Sequence, residues 1–213
     1  MTSIFKLALM ATLWLLLTGT LLLTAVPKVL ILDRIISGTG LFLVAGEVRE
    51  GLLGLELKNV RILRGGNEVV RFDRVNLGIS SSGILLKGFC DGGRADLVVG
   101  IRRRLTIEIR RFPCVRKVAL IDGKLTLGEG LRGVLTAEGV KVDGITLERL
   151  DLRFEGERFR GMVLSSGVEL KGKGRLMVNP GDIAGSRVEG TFRGGGITLL
   201  VRGELRKLSV LLR

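Results

Sequence analysis

Residues 7–27, LALMATLWLLLTGTLLLTAVP, form an uncharged run of twenty-one positions, and such a run decides which solvent the rest of the chain must live beside. At 1.5 Å per residue, a helix of that length crosses a hydrocarbon core of about 30 Å. Lys6 and Lys28 bracket it. The rival reading is a cleaved secretory signal, which needs an apolar core of about 7–15 residues followed by a small-x-small site. Here the apolar run is longer, and its best such triplet, Thr18-Gly19-Thr20, lies inside it. The sequence therefore predicts a cytoplasmic tail and retained transmembrane anchor over residues 1–27. A tail this short is expected to stay inside, with residues 28–213 exported as a β-rich domain.

The chain carries 34 Lys+Arg against 21 Asp+Glu, a net charge of +13, and setting Lys6 aside leaves +12 on the body. Beside a membrane anchor, that balance points to anionic headgroups or an acidic protein surface as partner. Nucleic acid is disfavoured: Tyr is absent and Trp14 lies inside the apolar run, so no aromatic stacking platform is available. Glycine is abundant at 32 residues, proline is scarce at 3, and the apolar residues are mainly Leu, Val and Ile. Together these describe short strands joined by tight turns, not a disordered chain.

Period-two alternation begins near residue 41 and continues to the end. Leu53, Leu55 and Leu57 line one side before Val60 and Ile62 take over, which predicts a bulge at Lys58-Asn59. Gly65-Gly66-Asn67 reads as a hairpin turn. Further strands are expected over 68–79, 84–89, 94–101, 104–110, 115–121, 124–127, 134–142, 150–154, 161–164, 168–178, 187–193, 197–205 and 208–212. Residues 28–36 lack alternation and are read as a short helix at the membrane surface. No other segment has a sustained helical period, so crossover helices for a parallel α/β fold are missing. The expected fold is mainly β: one transmembrane helix, then an elongated, curled antiparallel sheet, either sandwich-like or open as a groove.

The chemistry available is narrow. The chain has no His, which removes the commonest general base and metal ligand and every Ser-His or Cys-His pair. The acids sit beside Lys or Arg at polar strand positions, and Gly194-Gly195-Gly196 precedes a strand where a phosphate loop needs a helix. No catalytic, cofactor-binding or metal-ligating set emerges, and the chain is read as a non-enzyme needing no cofactor. Cys90 and Cys114 form either a disulfide in an oxidising compartment or two buried thiols. Cys90 ends one expected strand and Cys114 begins another, two strands apart. Three steps of about 4.8 Å across a flat sheet are too many for a disulfide, so a bond requires a strongly curled sheet or another strand order. The densest charge is residues 101–117, where Arg102, Arg103, Arg104, Arg110, Arg111, Arg116 and Lys117 oppose only Glu108. These are the candidate contacts for anionic lipid or a partner; a solvated face guarding an edge strand is the competing reading.

The tail, the single apolar span, then GLFLVAGEVREGLLGLELKNVRIL from Gly40, EVVRFDRVNLGISSSGILLKG from Glu68 and GVLTAEGVKVDGITLERLDLRF from Gly133 together resemble the N protein of type II secretion systems. The phrase Leu57-Lys58-Asn59-Val60 is similar to those of AsmA-like inner-membrane proteins, the wider relatives. The resemblance covers nearly the whole chain as a pattern. It implies a single-pass bacterial inner-membrane protein with its body in the periplasm, acting as an accessory of protein secretion that binds other secretion-system or envelope proteins. An AsmA-like protein that binds phospholipid or transfers it between membranes is the alternative.

The anchor reading makes a topological prediction. The intact protein should stay with membranes after a carbonate wash, and protease added to spheroplasts should digest residues 28–213. A soluble form starting near Lys28, or a protected body, contradicts it.

Overall fold

Alternation with glycine turns between each stretch dictates hairpin after hairpin, and that is how the chain folds. The computed structural model describes residues 40–51, 54–80, 83–100, 104–142, 144–179, 185–205 and 207–212, together with Trp14, Thr18 and Leu32. Among these residues fifteen strands form one antiparallel sheet, mainly in sequence order. The first third holds β1 (Phe42–Val44), β2 (Glu47–Glu50), β3 (Gly54–Arg64), β4 (Asn67–Ser80) and β5 (Gly83–Cys90). The middle holds β6 (Gly93–Gly100), β7 (Leu105–Phe112), β8 (Leu120–Leu127), β9 (Leu131–Val142) and β10 (Ile145–Gly156). The last third is β11 (Arg158–Ser165), β12 (Val168–Met177), β13 (Arg187–Gly194), β14 (Ile197–Glu204) and β15 (Lys207–Leu212). Strands β1 and β2 pair side by side along β3, and from β3 onward each strand pairs with its successor. The sheet is not closed: among the described residues β15 pairs only with β14.

Most of the expected anchor lies outside the described residues. Within it Trp14 and Thr18 are helical, and the Thr18 hydroxyl donates to the Trp14 carbonyl one turn back. No helix among the described residues is long and apolar enough to cross a membrane. Leu32, in the segment expected to be a short helix, is helical and buried against Leu55, Leu57, Val60 and Val75. Near the expected bulge, Asn59 takes a left-handed backbone (φ 51°) and drops out of the ladder between Lys58↔Arg74 and Val60↔Phe72. The register shift itself falls later, at Ile62/Leu63.

Two expected strands are corrected. Residues 115–121 and 124–127 are expected as separate strands, but β8 runs unbroken from Leu120 to Leu127 and takes only Leu120 and Ile121 from the first stretch. Gly123 has φ 152°, and a Cβ there would lie 2.4 Å from the Val134 carbonyl oxygen, so this glycine lets β9 approach and does not turn the chain. Residues 113–119 are instead a strap. The Cys114 carbonyl accepts from Arg71 N–H at 3.1 Å, and Arg116 N–H donates to the Val69 carbonyl at 2.9 Å. These bonds occupy the half of β4 that β5, pairing only with residues 74–80, leaves open.

The apolar face packs in two clusters. One gathers Leu55, Leu57, Val60, Val75 and Leu32, and Phe72 lies against it with its ring 5.2 Å from that of Phe112. The other spans β8–β15 and centres on Phe159, whose ring stands 6.0 Å from Phe154 and 6.3 Å from Phe192. Glycines make room for these rings. A Cβ on Gly174 would sit 2.3 Å from the Phe159 ring, one on Gly172 2.4 Å from Phe192, and one on Gly88 2.5 Å or less from Phe72. Few aromatics therefore cover much surface, because Phe72, Phe159 and Phe192 pack against backbone that glycine leaves bare. Val163, Leu170 and Leu199 are 1% exposed as a result, and full burial of such a side chain contributes about 1.5–3 kcal/mol.

The strap is stapled. Cys90, at the end of β5, is bonded to Cys114 with Cα atoms 6.2 Å apart. The strand order is the simple one, so the pairing is achieved by the strap returning over the ends of β5 and β6. Closing a loop of 24 residues' separation should stabilise by roughly 3 kcal/mol. Thiol titration of the denatured, unreduced protein should find none, and the Cys90→Ser/Cys114→Ser double variant should lose about that much in urea unfolding. A loss under about 0.5 kcal/mol would remove the staple from the account of stability.

Candidate functional site

The basic stretch singled out in the sequence does not form one surface. Arg102 and Arg103 lie outside the described residues. Arg104 is exposed just before β7, whereas Arg110 and Arg111 stand at the opposite end of that strand and Arg116 and Lys117 lie on the strap. Glu108 takes much of the charge: Arg110 Nε donates to it at 2.8 Å, and Lys124 on β8 approaches to 3.6 Å. Arg94 on β6 bonds Asp96 at 2.7 Å in the same way. The polar face of β6–β8 is thus close to neutral. The Arg116 guanidinium donates to the Asn67 side chain at 3.0 Å, which gives it local structural work, and the Arg111 backbone N–H donates to the Asp122 carboxylate at 3.0 Å. The hydrogen bond from Arg110 and its charge hold the Glu108 carboxyl below the usual carboxylate range. Its contribution to stability is present above that range and is lost as pH falls through the depressed value.

The strands that follow carry what the sequence reading missed. Register aligns Arg153 on β10 with Arg160 on β11 and Lys173 on β12; Arg158 with Arg175; and Lys171 with Arg193 on β13. All seven are exposed. Directly opposite residues have Cβ atoms about 4.5–5.5 Å apart, and like charges there are destabilising. Like charges face each other elsewhere in the sheet too, as in Lys58↔Arg74, Arg61↔Arg71 and Arg94↔Arg110. Opposite charges do so in Lys87↔Asp96, Glu108↔Lys124 and Glu189↔Arg202 and, within the block, in Glu155↔Arg158 and Arg175↔Glu189. Lys171 is tied to Glu169 at 3.2 Å, but the other six cations form no ion pair among the described residues. All but Arg153 border a concavity of about 920 Å³ that also touches Thr191. The sequence signal was there in Arg158-x-Arg160 and Lys171-x-Lys173-x-Arg175, but only pairing in register turns short alternations into a block.

The staple region holds the candidate metal cluster among the described residues, Cys90, Asp91 and Cys114. Its sulfurs are bonded to each other, so no thiolate is available there. Asp91 pairs with Arg71 at 3.3 Å and its N–H donates to Asp73 at 2.9 Å, which ties the β5–β6 turn to β4.

Over 195 residues the chain is 30% identical to an uncharacterized protein of Aquifex aeolicus, covering 92% of this chain and 89% of that one. A stretch of 122 residues is 33% identical to Syntaxin-122 of Arabidopsis thaliana, covering 57% of this chain and 33% of that protein. No family model matches. No solved structure matches.

The cationic block predicts an unusual response to charge reversal. Lys173→Glu should place a carboxylate opposite Arg160 and raise stability by about 0.2–1 kcal/mol, read as a higher thermal midpoint at low salt that converges on the parent as salt rises. A lower midpoint would show that the like-charge rows are not strained.

Proposed function

We propose, for a chain that belongs to the same family as the Aquifex aeolicus protein, the role of an inner-membrane-anchored periplasmic accessory of type II protein secretion that works by binding and scaffolding. The inequality of the two sheet edges carries this reading. At one edge β1 is three residues long, a break at Ala45-Gly46 follows, and β2 presents Glu47, Arg49 and Glu50. Shortness, interruption and charge are the usual means of blunting an edge. At the other edge, Ser209, Val210 and Leu211 form an uncharged stretch of β15, with Leu211 58% exposed. Such an edge accepts a partner's strand by extending the sheet. The disulfide suits an oxidising compartment, in keeping with a periplasmic body.

The finer architecture supports the same role. Val69, on β4, and Lys141, on β9, both bond the strap, through the adjacent residues Arg116 and Lys117. Five steps across a flat sheet would separate those strands by about 24 Å, so the sheet curls. Around Phe159 the apolar face is packed with its own side chains, among them Phe154, Val163, Leu170, Phe192 and Leu199.

Lipid binding or transfer is the second reading, favoured by one region. Leu86, Leu97, Ile107 and Leu125 on β5–β8 are only half-buried, and Ile79, Ile84 and Val99 form an exposed apolar row beside them.

Deleting the gene in its host should lower secreted enzymes in the medium, and Leu211→Lys should fail to restore them while changing stability by under about 0.5 kcal/mol. Mass spectrometry after detergent exchange should find well under one phospholipid per chain. Normal secretion in the deletion, together with stoichiometric retained lipid, would replace scaffolding by lipid handling.

A further inference from the structure

We infer that the cationic block on the polar face of β10–β13 docks on the phosphate headgroups of an anionic phospholipid bilayer. The block is Arg153, Arg158, Arg160, Lys173, Arg175 and Arg193, with Lys171 at its margin. Folding alone gives no reason for it. Like charges also face each other on β6–β7, as Arg94↔Arg110 and Asp96↔Glu108, but there Arg94 is tied to Asp96 and Arg110 to Glu108. The four like-charged pairs of the block, by contrast, leave every cation but Lys171 without an ion pair among the described residues. An anion bridging each pair turns that repulsion into attraction.

The identity of the anion follows from what the block offers. Five of its seven side chains are arginines, whose planar forks hold phosphate oxygens two at a time. The aromatic ring at the concavity, Phe159, is 5% exposed and packed into the apolar cluster, so no stacking surface faces outward for nucleobases. The concavity is broad and spread over three strands, β11–β13, with Arg153 on β10 beside it, which matches a field of headgroups more than a single small anion. Residues 7–27 put a membrane-compatible segment in the same chain. Nothing in this inference depends on secretion, so it stands or falls apart from the scaffolding role.

The test uses the full chain in nanodiscs of pure phosphatidylcholine, mixed with separate vesicles and separated by flotation. Vesicles with 30 mol% phosphatidylglycerol should carry the nanodiscs upward and pure phosphatidylcholine vesicles should not, with binding falling steeply as salt rises. Each basic residue near an anionic surface contributes about fivefold, so Arg160→Gln/Lys173→Gln should weaken binding about 25-fold. Its thermal midpoint should equal or exceed the parent's, which separates lost docking from lost folding. Lys117→Gln/Lys141→Gln, exposed and away from the block, should weaken binding no more than about twofold. An equal loss in that control would reduce the effect to net charge and overturn the inference. So would capture of soluble polyglutamate through the same residues without vesicle binding, which would make the occupant an acidic protein.

Discussion

Each strand from β3 onward satisfies its backbone hydrogen bonds with its successor in the chain, and nearly every other property of the molecule follows from that pairing. A meander in sequence order needs only short turns, which the chain supplies as Gly65-Gly66, Asp91-Gly92, Ser166-Gly167 and Gly195-Gly196, all with positive φ. It also fixes which side chains stand opposite one another. Because period two sends alternate residues to opposite faces, a single register places Leu150, Val163 and Leu170 in one apolar row and Arg153, Arg160 and Lys173 in one cationic row.

Covering the apolar face is the harder problem, since the chain has few aromatics and its described part supplies no helical layer. Glycine solves it locally. Where Gly172, Gly174 and Gly190 remove side chains from the face, Phe159 and Phe192 lie down on the exposed backbone and shield both neighbours at once. The abundance of glycine is thus more than turn chemistry, for part of it is a packing surface. On β5–β8 Gly88 serves the Phe72 ring, but the apolar residues beyond it remain half-buried. The molecule has a packed end and a looser middle for that reason.

Much of this was legible beforehand. Alternation announced the antiparallel sheet, the absence of a helical period ruled out crossovers, and the missing His narrowed the chemistry. Other features were opaque for physical reasons. The strap at residues 113–119 reads as a strand because its residues alternate, and only the unpaired half of β4 shows where its hydrogen bonds go. The break expected between residues 121 and 124 is absent because a glycine at a close strand approach, as Gly123 is, is indistinguishable in sequence from a glycine that interrupts a strand.

Charge shows the division most sharply. By itself the sequence determined the uncharged run at residues 7–27, the strongly basic body, the alternation and the glycine supply, because these are properties of neighbours along the chain. Tertiary structure decided which charges act together. Arg102 to Lys117 is the densest cationic stretch in sequence, yet Glu108 and the division between two strand ends and a strap disperse its described members, whereas seven cations spread over four strands converge. It decided the Cys90–Cys114 bond in the same way, by carrying the strap back across two strand ends. Electrostatic and covalent contacts act through space, and distance in space is set by register, which the spacing of residues along one strand does not contain.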